Sequence, residues 1–298
     1  MKKHTGFTPE LQKAHGKFDY PLTNDYMFRA LFQRNNKALK GLISSLLRLP
    51  IGEIHSVEIT NPIVLGDEYT DKEFHLDIKA ELNHDKLINL EMQVTNFGNW
   101  SERSLSYLCR MFDNVCRGED YQQVEPVIHI SILNFTLFDD APAFYSCNKL
   151  MDEKTHHLYS DKLSLNVLDL SKTELANEED KLWKLDYWAR LFKASTWEDL
   201  RMIASNDEYL TEASNTLYDM YNDFNIRERL RSREDYIIHQ RRMDNTIKQQ
   251  QEELEQQKEE LILKDNALAE KDSQITEKDS QIEQLLEEIA RLKADQNK

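Results

Sequence analysis

Two neighbouring segments in the first third of the chain alternate between apolar and polar residues. They are FHLDIKAEL (74–82) and INLEMQV (88–94). A period of two is typical of a β-strand that turns one face towards an apolar core. The tripeptide NHD (83–85) lies in the short connection and has the composition of a tight turn. The sequence therefore predicts an antiparallel β-hairpin, so the chain must fold around a sheet.

The register of this hairpin follows from its turn. If the turn is centred on His84, Asp77 faces Glu91 and Lys79 faces Asn89. A slip by one residue would put polar side chains opposite apolar ones. Two carboxylates directly opposite each other repel. This pattern is compatible with a bound divalent cation. Alternation alone favours the other interpretation, a solvent-exposed strand face on which the repulsion is screened, because amphipathic strands with one wet face are common.

The flanking segments predict further elements around the hairpin. Residues 1–18 are expected to form a loose arm, and Thr23 is expected to cap the first helix. The remaining predictions are helices at 24–33, 37–49 and 101–117, and strands at 54–65 and 127–135. The predicted order of elements between residues 19 and 138 is thus α, α, β, β, β, α, β.

The second half of the chain has a different character. Apolar stripes around Trp183–Phe192 and Tyr209–Tyr221 predict a mostly helical region over 139–240. Residues 246–298 predict a coiled coil, because apolar residues recur every seven positions. These are Ile247, Leu254, Leu261, Leu268, Ile275, Ile282 and Ile289. The companion positions are polar until Leu285, so the alternatives are a homo-oligomer through this helix or a single charged helix.

Composition and missing motifs exclude several classes of function. The chain has no GxGxxG, GxxxxGK[ST], HExxH or GxSxG motif, which argues against dinucleotide, P-loop, zincin and α/β-hydrolase chemistry. It has no apolar run long enough to span a membrane, so we expect a cytoplasmic protein with no membrane partner. The net charge of −16 opposes nucleic-acid binding, yet residues 1–50 carry nine Lys/Arg against three Asp/Glu.

Several segments, taken in order, carry a resemblance to a known family. They are NDYMFRALF (24–32), LDIKA (76–80), NLEMQ (89–93), the Arg103 to Tyr107 stretch with CRGEDY (116–121), and PVIHISILNF (126–135). This order resembles the PD-(D/E)xK nuclease superfamily, and within it the Rpn-like family of recombination-promoting nucleases and transposase-like proteins. The resemblance covers residues 19–138 and implies a nuclease-like domain there. Its fold would be α/β with a restriction-endonuclease-like αβββαβ core, followed by the helical region and the C-terminal coiled coil.

The resemblance also implies roles for individual residues. Asp77 and Glu91 would bind Mg²⁺ or Mn²⁺, and Asp25 would complete the site. Gln93 stands where the superfamily usually has lysine, which removes a positive charge. Lys79 shares a strand face with Asp77 and is expected either to supply that charge or to pair with a nearby acid.

The implied partner is DNA, with Arg29 and Arg103 as expected contacts to it. The implied function is a Mg²⁺-dependent DNA endonuclease that hydrolyses phosphodiester bonds in recombination or mobile-element biology. The alternative is a catalytically inactive nuclease fold that binds DNA or protein and oligomerises through its coiled coil.

Overall fold

A computed structural model of the 298-residue chain describes residues 6–61, 78–113, 124–205 and 207–296. The chain divides into two compact units, Met1–Arg227 and Glu228–Lys298. Across the described helices, none is both long enough and apolar enough to cross a membrane.

Within the described ranges of the first unit, six strands form one mixed sheet in the order β1-β2-β3-β4-β6-β5. The strands are β1 (Val57–Ile59), β2 (Ile78–Leu82), β3 (Lys86–Gln93), β4 (Val127–Leu133), β5 (Tyr145–Lys149) and β6 (Leu163–Asp169). Strands β3, β4 and β6 run parallel to one another, whereas β1–β2, β2–β3 and β5–β6 are antiparallel pairs. Parallel strands at the centre require coverage on both faces.

The described helices, which include those predicted at 24–33, 37–49 and 101–117, lie in both compact units. They are α1 (Pro9–Lys13), α2 (Asp25–Arg34), α3 (Asn36–Leu47), α4 (Trp100–Phe112), α5 (Glu178–Leu182), α6 (Leu185–Lys193), α7 (Trp197–Ala204), α8 (Glu208–Asn222) and α9 (Phe224–Gln296). Asn24, rather than Thr23, caps α2 by accepting the Met27 N–H. The predicted strand 54–65 is short, with β1 covering three residues of it, and residues 62–65 and 114–117 lie outside the described ranges.

The hairpin has the predicted register. Lys79 pairs with Asn89 and Leu82 pairs with Lys86, so facing residues are related by a turn centred on His84. Asn83 and His84 adopt left-handed backbone conformations with φ of 54° and 58°, which fits a tight hairpin turn. The predicted pairing of Asp77 with Glu91 falls outside the described residues and stays a prediction.

Helices cover the sheet on both faces. Helix α4 packs against β4 and β6 on one face. On the other face, the Tyr145 hydroxyl on β5 donates to the Leu46 carbonyl of α3, and α2 contacts β3. This second layer buries Ile88, Leu90 and Ile130, which are fully shielded from solvent. The sheet is thus the middle of three layers, as is usual for α/β domains.

The sheet extends beyond residue 138, where the sequence pattern suggested the end of the domain. The prediction of a mostly helical region at 139–240 is wrong for β5 and β6, and correct for α5 to α8. Strand β6 has an alternating pattern, LSLNVLD, next to β4. Strand β5, YSCNK, is a largely exposed polar edge strand, so its sequence carries little apolar signal.

The prediction of a loose arm at 1–18 is wrong for residues 6–18. Leu11 of α1 is fully buried, and the Arg201 guanidinium donates to the carbonyls of Leu11 and Ala14 over 2.6 and 2.5 Å. The Thr8 N–H donates to the Asn215 side chain at 3.0 Å. Thr8 also caps α1 and Pro9 occupies its first turn, a local helix-start signal. The segment is held in place because its apolar residues pack against α7 and α8, as Phe18 does against Trp197 and Tyr221.

In the second unit, α9 continues without a break to Gln296. The seven apolar residues of the heptad pattern lie on this helix with 48–58% of each residue exposed. The predicted long helix is therefore confirmed, and its pairing into a coiled coil stays a prediction.

Candidate functional site

The polar face of β3 is buried, although simple strand alternation suggested that it could face water. Asn89 is 1% exposed and Glu91 is 6% exposed. Burying a carboxylate is costly unless it is paired and hydrogen-bonded. Glu91 must therefore be stabilised by its neighbours, and these define the site.

Strand β4 supplies polar residues at the same levels of the sheet. The parallel register pairs Asn89 with His129 and Glu91 with Ser131. His129 and Ser131 are both essentially inaccessible to solvent. We call these four residues the polar layer. It is a patch of hydrogen-bonding groups enclosed between the sheet and α4.

Helix α4 covers the polar layer because of its residue spacing. Trp100, Ser104, Leu108 and Met111 recur at intervals of three or four and form its buried face. The lower part of this face packs on Val127 of β4. At the upper end, the Trp100 indole N–H donates to Ser131 Oγ over 3.1 Å. This bond fixes the start of α4 over the polar layer.

Arg103 of α4 provides the positive charge beside Glu91. Its Nη2 donates to Glu91 Oε1 at 2.8 Å. Its Nε donates to the Tyr107 hydroxyl at 3.1 Å, and its guanidinium carbon lies 5.3 and 5.4 Å from the ring centroids of Trp100 and Tyr107. Contacts with two aromatic rings favour one position of the guanidinium. The cation is thereby held against the buried carboxylate.

His129 is neutral in this setting. Burial lowers its pKa to about 4, and the nearby positive charge of Arg103 acts in the same direction. The Asn89 amide nitrogen lies 2.9 Å from His129 Nδ1. An amide nitrogen only donates, so Nδ1 accepts and the ring proton lies on Nε2. Among the described residues, Nε2 and the Asn89 amide oxygen have no hydrogen-bond partner.

The remaining residues expected at the hairpin lie at different depths. Lys79 is exposed on β2, on the same face as Asn89 and Glu91, and its backbone N–H donates to the Asn61 side chain. Gln93 follows Glu91 on the same face, and its side chain donates to the Thr95 carbonyl at 2.8 Å. Gln93 is thus directed towards the loop after β3. Asp77 lies outside the described residues.

The two residues expected from α2 are placed differently from each other. Asp25 is half-buried in the first turn of α2, where its carboxylate accepts the Tyr26 N–H. Arg29 is buried and donates to the Asn61 carbonyl, next to β1. A buried guanidinium bound to backbone is not presented to an external phosphate. The expected DNA contact at Arg29 therefore does not agree with its position in this structure.

A divalent metal is compatible with the donors that the site offers. Mg²⁺ and Mn²⁺ prefer oxygen ligands, and Glu91 is a carboxylate of the polar layer held in place by Arg103. Across the described residues, no group of three His, Cys, Asp or Glu side chains comes together to hold an ion. The second expected ligand, Asp77, is outside those residues. The described part of the site thus fits one half of the predicted ligand pair.

Sequence reasoning missed Ser131, His129 and Trp100. A faint signal exists for the first two. They stand two residues apart in the otherwise apolar run VIHISIL, so they share one strand face. Polar residues at that spacing in a buried strand indicate a polar cluster beneath a neighbouring element.

Comparison with known proteins yields one family. The family described as PD-(D/E)XK nuclease family transposase matches residues 22–247. The mixed α/β architecture is consistent with that family's fold. No curated protein and no solved structure matches the chain.

Proposed function

Because this chain belongs to the family of PD-(D/E)XK nuclease family transposases, we propose that it is a divalent-metal-dependent DNA endonuclease. The reaction is hydrolysis of a phosphodiester bond, and its biological setting is recombination or the movement of mobile elements. Both the metal dependence and the setting are parts of the proposal.

The observation that carries the proposal is the buried carboxylate of Glu91 in a hairpin of defined register. Glu91 is held by Arg103 at 2.8 Å. The described register, from Ile78 to Leu82, agrees with a turn centred on His84, and the sequence pattern that predicts this turn also predicts Asp77 opposite Glu91. Burying a carboxylate without functional need is unfavourable, so the arrangement favours a site over an ordinary solvated strand.

In this proposal Asp77 and Glu91 hold Mg²⁺ or Mn²⁺, and Asp25 is the third carboxylate. A bound divalent cation would polarise the scissile phosphate and lower the pKa of a coordinated water. Gln93 offers neutral hydrogen bonds in place of the usual lysine. Lys79, exposed on the shared strand face, adds positive charge near the DNA backbone. Arg103, about a quarter exposed, faces the same substrate, and the proposed contacts do not include Arg29.

The test is cleavage of supercoiled plasmid by purified protein with Mg²⁺, Mn²⁺ or Ca²⁺, and with EDTA. Asp77→Asn and Glu91→Gln remove one ligand charge each and are expected to reduce cleavage at least about 100-fold. Glu81→Gln is the matched control. Glu81 lies on the same face of β2 as Lys79, nearer the turn, where it pairs with His84 at 2.9 Å.

The expected result is cleavage by wild type and Glu81→Gln, and its loss in the two ligand variants. Equal cleavage by all four proteins would point to a contaminating nuclease and overturn the proposal. Cleavage by none of them, under every metal, would favour the second candidate below.

A second candidate is a nuclease fold that binds DNA or protein without cutting and self-associates through α9. Two observations favour it. Gln93 carries no charge, and the heptad residues of α9 form an exposed apolar row. DNA binding measured by fluorescence anisotropy, without cleavage, would identify this candidate.

A further inference from the structure

We propose that Arg103 is the cation of the nuclease site. It replaces the lysine that the superfamily usually has at the position of Gln93. The inference rests on the proposed function and deepens it. It assigns Arg103 two effects, one on the metal and one on the reacting phosphate.

Arg103 lies directly against the carboxylate of the site. Arg103 Nη2 contacts Glu91 Oε1 directly, whereas the Gln93 side chain donates to the Thr95 carbonyl. Contacts with Trp100 and Tyr107 restrict the guanidinium. A charge held in place before the substrate arrives costs no reorganisation during the reaction. Arg103 therefore meets the geometric requirement for a preorganised cation.

Arg103 also has hydrogen-bond donors in excess of its two described bonds. A guanidinium carries five N–H donors. Within the described part of the chain, one binds Glu91 Oε1 and another binds the Tyr107 hydroxyl. Three N–H groups remain for the oxygens of a phosphate, which arginine binds in a forked geometry. The Arg103 side chain is also 28% exposed, so part of it is open to solvent.

The chemical role is electrostatic. Hydrolysis forms one bond from a water oxygen to phosphorus and breaks the bond from phosphorus to the leaving sugar oxygen, which takes up a proton. Negative charge accumulates on the phosphoryl oxygens between these two events. Arg103 transfers no atom and no proton, and it stabilises that charge.

The same charge opposes the metal. The Arg103 guanidinium lies 2.8 Å from Glu91 Oε1 and repels a dication that binds the same carboxylate. It also competes with that dication for the lone pairs of the carboxylate. Removing the charge should therefore strengthen metal binding while it slows cleavage. A residue that only supports the fold would, when removed, weaken both.

The experiment measures Mn²⁺ affinity by isothermal titration calorimetry and the single-turnover cleavage rate on the same proteins. Arg103→Met removes charge and hydrogen bonds, and Arg103→Gln keeps a donor for Glu91 without the charge. Arg103→Lys restores the charge. Arg110→Met is the matched control, since Arg110 is exposed on the same helix. Lys79→Met tests the competing cation.

For Arg103→Met and Arg103→Gln we expect Mn²⁺ to bind about threefold tighter or more and cleavage to fall about 100-fold. Arg103→Lys should cleave at least about tenfold faster than Arg103→Met, because lysine restores the charge without the forked N–H groups of the guanidinium. Arg110→Met should match wild type in both measurements. Circular dichroism establishes folding, and Arg103→Gln serves as the test if Arg103→Met does not fold.

Several results would overturn the proposal. Weaker Mn²⁺ binding together with lost cleavage in the Arg103 variants would show that Arg103 has a structural role. Lost cleavage in Lys79→Met, but not in the Arg103 variants, would identify Lys79 as the cation. Wild type that binds Mn²⁺ but cuts no DNA would remove the proposed function and the catalytic role. The calorimetry would then still show whether Arg103 opposes the metal. Wild type that binds no Mn²⁺ would overturn both proposals.

Discussion

The Asn89 amide nitrogen lies 2.9 Å from His129 Nδ1, in the buried layer between the central strands and α4. The two residues face each other across β3 and β4 and are 40 positions apart in the sequence. Burial, with the nearby charge of Arg103, lowers the pKa of His129, and the contact suits the neutral ring because a protonated ring could not accept the amide N–H. It gives the polar layer a defined response to acid.

Acid should destabilise the fold through His129. Its pKa is about 4 in the folded state, below the ordinary histidine value of 6.5 that applies to the unfolded chain. Between these values the unfolded chain binds a proton that the folded chain does not, so stability is lost as pH falls from 6.5 to 4. The loss is about 3 kcal/mol for an isolated group. Urea unfolding at pH 7 and pH 4.5 should show a smaller pH effect in His129→Gln than in wild type.

The control for this measurement is His157→Gln, because His157 is exposed. It should retain the wild-type difference between the two pH values. An identical pH effect in His129→Gln would show that the histidine titrates normally and is not buried as described.

Gly41→Ala should lower the free energy of unfolding. Gly41 lies in α3, and a Cβ added there would overlap Cβ of Tyr209 on α8. Alanine normally favours a helix by about 1 kcal/mol over glycine, but the overlap forces α3 and α8 apart at a cost of about 1–3 kcal/mol. Gly52→Ala meets no atom within 4 Å and is the control. A higher free energy of unfolding for Gly41→Ala than for wild type, measured by chemical denaturation, would contradict the close packing of Gly41 against Tyr209.

Leu11→Ala should destabilise the first unit by about 2–5 kcal/mol, as for other fully buried leucines. Leu182→Ala, at a leucine that is 75% exposed, should change stability by less than about 0.5 kcal/mol. Thermal and urea unfolding would measure both. If Leu11→Ala leaves the stability unchanged, the N-terminal segment is a loose arm, as the sequence suggested.

If α9 pairs with a second copy, the double variant Leu261→Glu and Leu268→Glu should dissociate the oligomer. Both residues belong to the exposed heptad row, and charges placed in such a seam oppose pairing. Leu263→Glu is a matched control, since Leu263 is 69% exposed and lies off the row. Light scattering coupled to gel filtration gives the mass. A wild-type monomer would rule out self-association through this row.

The hairpin register was predictable because its causes are local. Alternation in two short segments and a turn at His84 leave one pairing that keeps apolar residues together. The heptad row of α9 was predictable for the same reason. In contrast, β5 has few apolar residues, so only its neighbour β6 indicates that it belongs to a sheet.

The burial of Glu91 was not predictable from the strand itself. Alternation shows which residues share a face, but it does not show what covers that face. Helix α4 covers it because Trp100, Ser104 and Leu108 turn towards the sheet. That packing brings Arg103 to Glu91, although the sequence suggested Lys79 as the substitute charge.

By itself, the sequence determined the periodic features of this protein. These are the hairpin and its register, the order of elements around it, and the long C-terminal helix. Only the tertiary structure decided that the polar face of β3 is enclosed, that His129 is neutral, and that Arg103 is the cation on Glu91. The physical reason is distance along the chain. Periodicity is a property of neighbouring residues, whereas burial and charge pairing depend on elements that meet only when the sheet and α4 have packed.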